Sequence, residues 1–250
     1  MNTQIARFNM VEQQIRPWQV FDLRVLNLLK QMDRHVFVPS AFQSLAYSDT
    51  EIPLAHGECM LPPRVDARLL QDLALQPHEK VLEIGTGSGH LTALLAQSCA
   101  HVTSLERHPD LLTQAQKNLH QLGIQNVDWQ INEGVPDHVK GAPFDAILLD
   151  APCSATGTIR RHPDVAWLKS EEDLVKLARL QQRLLDHSAE LLKPGGRLIY
   201  CTCSLEPEEG ENQIKTCLAR NPSLRLKPFE AKTLPWLGEA LSAAITPEGF

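Results

Sequence analysis

Apolar positions at the start of the chain recur with helical spacing. Residues 4–16 hold one such run and residues 21–31 hold a second. A repeat of three to four residues places these side chains on one face of a helix. Prolines and glycines then dominate 37–63, which predicts irregular, turn-rich structure. Residues 1–63 are therefore expected to form a helical and irregular amino-terminal extension.

Short apolar runs alternate with helical repeats in the rest of the chain. The predicted strands are 81–84, 101–105, 127–131, 144–149 and 197–202, and the predicted helices are 91–97, 111–122, 174–192 and 211–219. This alternation indicates a mostly parallel, doubly wound sheet with helices on both faces. The sequence thus predicts an α/β domain over 64–250.

A glycine-rich loop joins the first of these strands to its helix. The segment reads Glu83-Ile84-Gly85-Thr86-Gly87-Ser88-Gly89, and glycines let the backbone approach a ligand closely. His90 stands where the dinucleotide motif needs a small residue. Glu106 ends the second strand, where a carboxylate can accept both hydroxyls of a ribose. Acidic Glu83 and Glu106 suit S-adenosylmethionine, which is cationic, while a nicotinamide cofactor and a turn without a ligand remain alternatives.

Composition and charge narrow the class of protein and the partners it can bind. The chain has 250 residues, of which 43% are hydrophobic and 22% charged, as expected of a globular protein. Its 6 cysteines show neither a secreted disulfide framework nor metal-ligand spacing, and no segment is apolar enough to span a membrane. We expect a soluble cytoplasmic protein that holds no metal. The first 150 residues carry the whole net charge of −6, which disfavours nucleic acid except at a basic cluster of Arg160, Arg161 and Lys169.

The first half resembles the protein-L-isoaspartate O-methyltransferase family. The resemblance covers 1–134 and rests on Met10–Ile15, Val25-Leu26, His35–Pro39, Ala46–Asp49 and Val81–Gly89. It implies a Rossmann-like class I methyltransferase fold that binds S-adenosylmethionine at Gly85–Gly89 and Glu106. By the same resemblance, Glu133 and Gly134 lie near the adenine. Leu61 stands where that family has a serine, which counts against isoaspartyl chemistry.

Two later strands run into segments that contain cysteine. Asp150-Ala151-Pro152-Cys153 follows the fourth strand, and Cys201-Thr202-Cys203 follows the fifth. Neighbouring parallel strands end at the same edge of a sheet, so both segments should converge there. Two thiols at such an edge have a chemical use, because a thiolate that adds to C6 of cytosine turns C5 into a nucleophile. Alternatively, both cysteines are small buried apolar side chains.

Residues 144–250 resemble the RNA cytosine-5 methyltransferase family, with the strongest match over 144–211. The match includes the two cysteine segments, Ile159–Asp164 and Trp167. It implies that Cys203 is the nucleophile and that Cys153 helps to release the product. Asp150 would contact the cytosine or the methionine end of the cofactor. The basic cluster of Arg160, Arg161 and Lys169 would contact ribosomal or transfer RNA, unless these side chains are merely solvated.

The two resemblances meet near 135–143, which suggests a recombined or engineered chimera of two class I methyltransferases. Three functions follow from it. The first is an S-adenosylmethionine-dependent RNA cytosine-5 methyltransferase, and the second is an isoaspartyl methyltransferase acting on protein. The third is a folded chimera that binds cofactor without turnover. The RNA family usually continues to a further strand, so we expect a sheet edge that favours self-association.

Overall fold

A five-stranded sheet organises the protein, whose computed structural model describes residues 3–132, 139–160 and 162–228. The strand order is β5-β4-β3-β6-β7. These strands are β3 (Lys80–Ile84), β4 (His101–Glu106), β5 (Val127–Ile131), β6 (Phe144–Asp150) and β7 (Leu192–Cys201), after a short antiparallel hairpin of β1 (Ile52–Pro53) and β2 (Cys59–Met60). The β3–β4, β3–β6 and β4–β5 pairs are parallel. The order and direction confirm the Rossmann-like methyltransferase fold.

The central strands carry the core because they are apolar on both faces. Val81, Leu82, Val102, Ala146 and Ile147 are all completely buried. A parallel sheet requires such continuous apolar runs, since crossover helices cover it. Two of these helices are α4 (His90–Ala96), which joins β3 to β4, and α5 (Pro109–Gln121), which joins β4 to β5. Both contact β4.

The amino-terminal part of the chain consists of short helices and turns. It contains α1 (Thr3–Asn9) and α2 (Leu23–Gln31), and α3 (Pro63–Leu73) follows it in the chain. The helix expected over 4–16 is shorter than predicted, because it gives way to a π-turn over Met10–Ile15 and then to a 3-10 turn that contains Pro17. A proline lacks the backbone N–H that an α-helix needs and restricts the residue before it.

The later elements differ from the predictions mainly at their starts. The last helices are α6 (Val165–Leu168), α7 (Glu171–Leu191) and α8 (Glu211–Arg220). Helix α7 begins three residues earlier than expected because Ser170 and Asp173 form a reciprocal cap. The Asp173 amide donates to Ser170 Oγ at 3.3 Å, and the Ser170 amide donates to Asp173 Oδ2 at 3.1 Å. The expected start of β7 at Arg197 is also wrong, since the strand begins at Leu192.

The chain divides into two compact units. The first comprises Met1–Leu149 and Leu191–Ile199, and the second comprises Asp150–Glu190 and Tyr200–Phe250. The first unit holds nearly all of the sheet and the glycine loop, and the second holds both cysteine segments. Among the described residues, the helices are too short or too polar to cross a bilayer.

Candidate functional site

The glycine loop has a backbone that only glycine adopts easily. Gly85, Gly87 and Gly89 have φ angles of 103°, 54° and 82°, all in the left-handed region. At Gly89 packing adds a second constraint, because a Cβ there would lie 2.8 Å from Ala115 Cβ on α5. The amide of Gly85 donates to Leu105 O at 3.0 Å, which fixes the loop to the end of β4. The result is a cradle of backbone at the carboxyl end of β3.

Glu106, at the end of β4, faces this loop as predicted. Its Oε2 accepts from the Gly87 amide at 2.9 Å, and its Oε1 accepts from the amides of Arg107 and His108 at 2.9 and 3.0 Å. The side chain is buried. Three backbone donors therefore hold this carboxylate in one orientation, at the position where the fold places ribose hydroxyls.

Glu83 lies beneath the loop and is completely enclosed. Its Oε2 accepts from Thr92 Oγ1 and from Ser104 Oγ, each at 2.6 Å, whereas Oε1 is buried and has no hydrogen-bond partner. Burial raises the pKa of Glu83 to about 8. The unpartnered Oε1 under a left-handed backbone cradle fits the S-adenosylmethionine that the sequence predicts, because a cation bound nearby would lower this pKa and favour the charged carboxylate.

The other predicted cofactor residues divide into two groups. The hydroxyls of Thr86 and Ser88 are already engaged by the protein: Thr86 Oγ1 lies 2.6 Å from Ser104 Oγ on β4, and Ser88 Oγ accepts from the His90 amide at 3.3 Å. Their contribution to a ligand would therefore come from the backbone. Glu133 and Gly134 lie outside the described residues.

A buried polar cluster of Arg34, Asp66 and His90 anchors the start of α4. Arg34 Nη1 donates to Asp66 Oδ2 at 2.8 Å, and His90 Nδ1 lies 2.8 Å from the same oxygen. All three side chains are buried. Burial lowers the pKa of His90, and the Arg34 guanidinium acts in the same direction. The cluster ties the amino-terminal extension to the glycine loop, and no short sequence motif signals it, because its members are 24 to 56 residues apart.

The second unit brings the two predicted cysteines together. Cys153 Sγ and Cys203 Sγ are 3.2 Å apart, within hydrogen-bonding distance for thiols. The hydrogen bond with Cys203 is the main cause that lowers the pKa of Cys153 to about 6, against the opposing effect of burial. One thiolate is therefore shared by the pair at neutral pH. Cys203 is the more exposed residue of the pair, since Cys153 is only partly exposed.

Two backbone features align the segments that carry these thiols. The amide of Gly157 donates to Cys203 O at 2.9 Å, and the amide of Ala151 donates to Cys201 O at 3.0 Å. A Cβ at Gly157 would lie 2.6 Å from Cys203 O, so only glycine allows this approach. Asp150 accepts a bond from Cys201 Sγ at 3.4 Å. The convergence expected from the strand ends is therefore present for the two cysteine segments.

Glu209, which has no exposed surface, supports the Cys153 segment from below. Its carboxylate accepts from the Ser154 amide at 3.0 Å, from Ser154 Oγ at 2.5 Å and from Gln181 Nε2 at 3.0 Å. Gln181 also donates to Pro152 O at 2.8 Å. Sequence patterns gave no reason to single out Glu209 or Gln181, since surface glutamates and glutamines look the same along the chain.

An exposed segment of the second unit carries the basic residues expected to contact RNA. Arg160 and Lys169 are both exposed, and Arg161 lies outside the described residues. Between them Trp167 has 88% of its surface exposed. An indole held in water is available for stacking on a nucleic-acid base.

Three possible metal ligands also lie close together, although the sequence predicts no metal site. The ligand atoms of His56, His108 and Asp110 are within 4.8 Å of one another. The two imidazole rings, however, stack in parallel with their centroids 4.0 Å apart. The nitrogen lone pairs lie in the ring planes, so those of the two rings do not point toward one common ion. His108 Nε2 also accepts from Arg107 Nε at 2.8 Å. The arrangement is that of a hydrogen-bonded surface cluster.

Comparison with known proteins identifies similar chains. The family model described as 16S rRNA methyltransferase RsmB/F matches 70–246. A ribosomal RNA small subunit methyltransferase B from Salmonella dublin is 43% identical over 157 residues, which are 62% of this chain and 37% of the relative. The chain thus spans little more than a third of the length of the curated relatives it matches. The family match begins before 135–143 and ends after it, so it lends no support to a junction between two parents there.

Solved structures agree at the level of the fold. A methyltransferase homolog protein from Pyrococcus horikoshii is 31% identical with a TM-score of 0.53, over 67% of this chain and 52% of that one. A protein-L-isoaspartate O-methyltransferase is 20% identical with a TM-score of 0.56, over 78% of this chain and 55% of that one. The second likeness, at this identity, concerns the fold alone.

Proposed function

Because the chain belongs to the 16S rRNA methyltransferase RsmB/F family of S-adenosylmethionine-dependent enzymes, we propose that it methylates C5 of a cytosine in ribosomal RNA. The observation that carries this proposal is the 3.2 Å approach of Cys153 Sγ and Cys203 Sγ. Carbon C5 of cytosine is a poor nucleophile until a thiolate adds to C6 of the ring. A chain that presents two thiols together, with one proton between them, has the group that this addition needs.

Cys203 is the proposed nucleophile because it is the exposed member of the pair. At neutral pH the pair holds one proton between its two sulfurs, since the hydrogen bond with Cys203 lowers the pKa of Cys153 to about 6, so Cys203 can add to C6 as the thiolate of the pair. In the later step, when the C5 proton is lost and the C6–S bond breaks, Cys153 helps to release the product. Asp150, which accepts a bond from Cys201 Sγ, is proposed to contact the cytosine or the methionine end of the cofactor.

The cofactor residues in the proposal come from the first unit. S-adenosylmethionine, when bound, supplies a methyl group on a positively charged sulfur. Glu106 is assigned to the ribose hydroxyls, and the backbone of Gly85–Gly89 to close contact with the ligand. Glu83 supplies the buried oxygen that lacks a partner. Glu133 and Gly134 remain sequence-based candidates for the adenine.

The RNA contacts in the proposal come from the exposed segment of the second unit. Arg160 and Lys169 would bind phosphates, as would Arg161, and Trp167 would stack on a base. With a net charge of −6, the chain has little general attraction for RNA. Affinity should therefore depend on these few residues and fall steeply when any is removed.

Methyl transfer from labelled cofactor tests the proposal. The unmodified chain, Cys203→Ser and Cys153→Ser are each given 16S ribosomal RNA, with an isoaspartyl peptide as the competing acceptor. We expect label in RNA for the unmodified chain and none for Cys203→Ser. Cys153→Ser should accumulate a covalent protein–RNA adduct that survives denaturation, because release is blocked.

Cys59→Ser serves as the matched control, since Cys59 is also exposed but belongs to the first unit. It should methylate RNA at the rate of the unmodified chain. Full activity in Cys203→Ser would overturn the assignment of the nucleophile. Label in the isoaspartyl peptide instead of RNA would overturn the proposed substrate.

A further inference from the structure

We propose that Cys153 and Cys203 are the site of a reversible disulfide that forms when the protein meets a peroxide. Their sulfur atoms are 3.2 Å apart, so a movement of about 1 Å brings them to the bond length of roughly 2.05 Å. The formation of this bond concerns the second unit alone. Its effect on methyl transfer rests on the proposed function.

The backbone around both cysteines already holds them in position to pair. The Gly157 amide donates to Cys203 O at 2.9 Å, and Ser154 Oγ lies 3.1 Å from Ser204 Oγ. Each of these contacts joins one cysteine segment to the other within one or a few residues of the thiols. Little conformational freedom remains to be lost when the bond forms, so closure competes well with other reactions of the oxidised sulfur.

The local chemistry favours oxidation at this pair over the two buried cysteines, Cys99 and Cys217. The thiolate is the form that attacks a peroxide, and the pKa of Cys153 is lowered to about 6. Cys99 and Cys217 have no such thiol partner among the described contacts, and burial raises the pKa of Cys99 to about 12 and also raises that of Cys217. Cys153 is partly exposed and its partner Cys203 is exposed, so a small oxidant can reach the pair from solvent.

The reaction balances in two steps. The Cys153 thiolate attacks one oxygen of hydrogen peroxide, the O–O bond breaks, and sulfenic acid and hydroxide form. Cys203 then attacks the sulfenic sulfur, the S–O bond breaks, and the hydroxyl leaves as water with the proton of Cys203. In sum, one thiolate and one thiol are oxidised to the disulfide, and one peroxide is reduced to one hydroxide and one water; the hydroxide takes up the proton that Cys153 lost when it ionised. A dithiol such as dithiothreitol reverses the change by thiol–disulfide exchange.

The disulfide would remove both thiols of the proposed catalytic pair at once. Neither sulfur of a disulfide can add to C6 of cytosine, because neither carries a thiolate. The glycine loop, Glu83 and Glu106 belong to the first unit and take no part in the bond. The oxidised protein is therefore expected to bind S-adenosylmethionine with unchanged affinity while methyl transfer stops.

Mass spectrometry of the full chain during titration with hydrogen peroxide tests the disulfide directly. We expect a mass loss of about 2 Da that dithiothreitol restores, and a cross-linked peptide pair containing Cys153 and Cys203. Cys153→Ser and Cys203→Ser should each abolish the cross-link, whereas Cys59→Ser should leave it intact. The pair should oxidise at least about ten-fold faster than Cys99 and Cys217, which burial keeps protonated.

Methyl transfer and cofactor binding, measured on the same samples, separate this proposal from the proposed function. Activity that falls in step with the mass change and returns with dithiothreitol supports both. A gain of oxygen atoms at Cys153 without a cross-link, or a cross-link between two chains, would overturn the disulfide. A quantitative disulfide that leaves methyl transfer unchanged would instead overturn the catalytic role of Cys203.

Discussion

Substitution of Gly157 by alanine tests whether the thiol pair depends on the close approach of two backbones. The added Cβ would lie 2.6 Å from Cys203 O, and an ordinary contact needs 3.4 Å or more, so the two segments must separate by about 0.8 Å. A misplacement of ~1 Å at reacting groups can cost on the order of 100-fold in rate. We therefore expect Gly157→Ala to lower the methyl-transfer rate by roughly 10- to 100-fold.

Stability should change less than activity. Overpacking of this kind costs roughly 1–3 kcal/mol, which a folded domain of this size tolerates. Cofactor affinity, measured by calorimetric titration, should be unchanged because the glycine loop belongs to the other unit. The kinetic effect should therefore appear in the methyl-transfer step and in the rate of disulfide formation.

Ala155→Gly is the matched control in the same turn. Ala155 has a φ of 62°, a left-handed conformation that glycine adopts without strain. Glycine there should leave methyl transfer unchanged and unfolding within about 1 kcal/mol of the unmodified chain. If Gly157→Ala methylates and oxidises at the unmodified rates, the reasoning about the thiol pair is refuted.

Two further predictions concern buried charge in the first unit. Asp66→Ala leaves the Arg34 guanidinium buried without its carboxylate, so urea denaturation should show a free energy of unfolding lower by about 3–5 kcal/mol. Glu211→Ala, which removes the more exposed ion pair with Lys215, should lower it by less than about 1 kcal/mol. Similar losses in both variants would contradict this prediction. Burial raises the pKa of Glu83 from 4.5 to about 8, so folding binds a proton and stability falls as pH rises between these values. Between about pH 5 and 8, the free energy of unfolding of the unmodified chain should fall by about 1.4 kcal/mol more per pH unit than that of Glu83→Gln. Urea denaturation at a series of pH values measures both, and parallel stability profiles would contradict the prediction.

The parts of the fold that follow from local patterns were predictable from sequence. The strands and helices from β3 to β6 were placed to within about two residues, because period and apolar runs depend on neighbouring residues only. The earlier start of α7 was readable in principle from Ser170 and Asp173, a capping pair three residues apart. The sequence also indicated where Cys153, Cys203 and Glu106 lie, because each stands at or just after the end of a predicted apolar strand.

The polar contacts that hold these groups in place were not predictable. Glu209 and Ser154 are 55 residues apart in sequence, and Arg34 and His90 are 56 apart. Whether such a side chain is buried or solvated depends on the tertiary neighbours, which leave no periodic signal in one sequence. The start of β7 before Pro194 was missed for a related reason: a proline argues against a central strand but is tolerated at an edge.

The most direct test of the central claim is nucleoside mass spectrometry of 16S ribosomal RNA treated with the chain and S-adenosylmethionine. We expect 5-methylcytidine at a defined position with the unmodified chain and none with Cys203→Ser. Methylation of another base or of a ribose, or 5-methylcytidine formed equally well by Cys203→Ser, would contradict it.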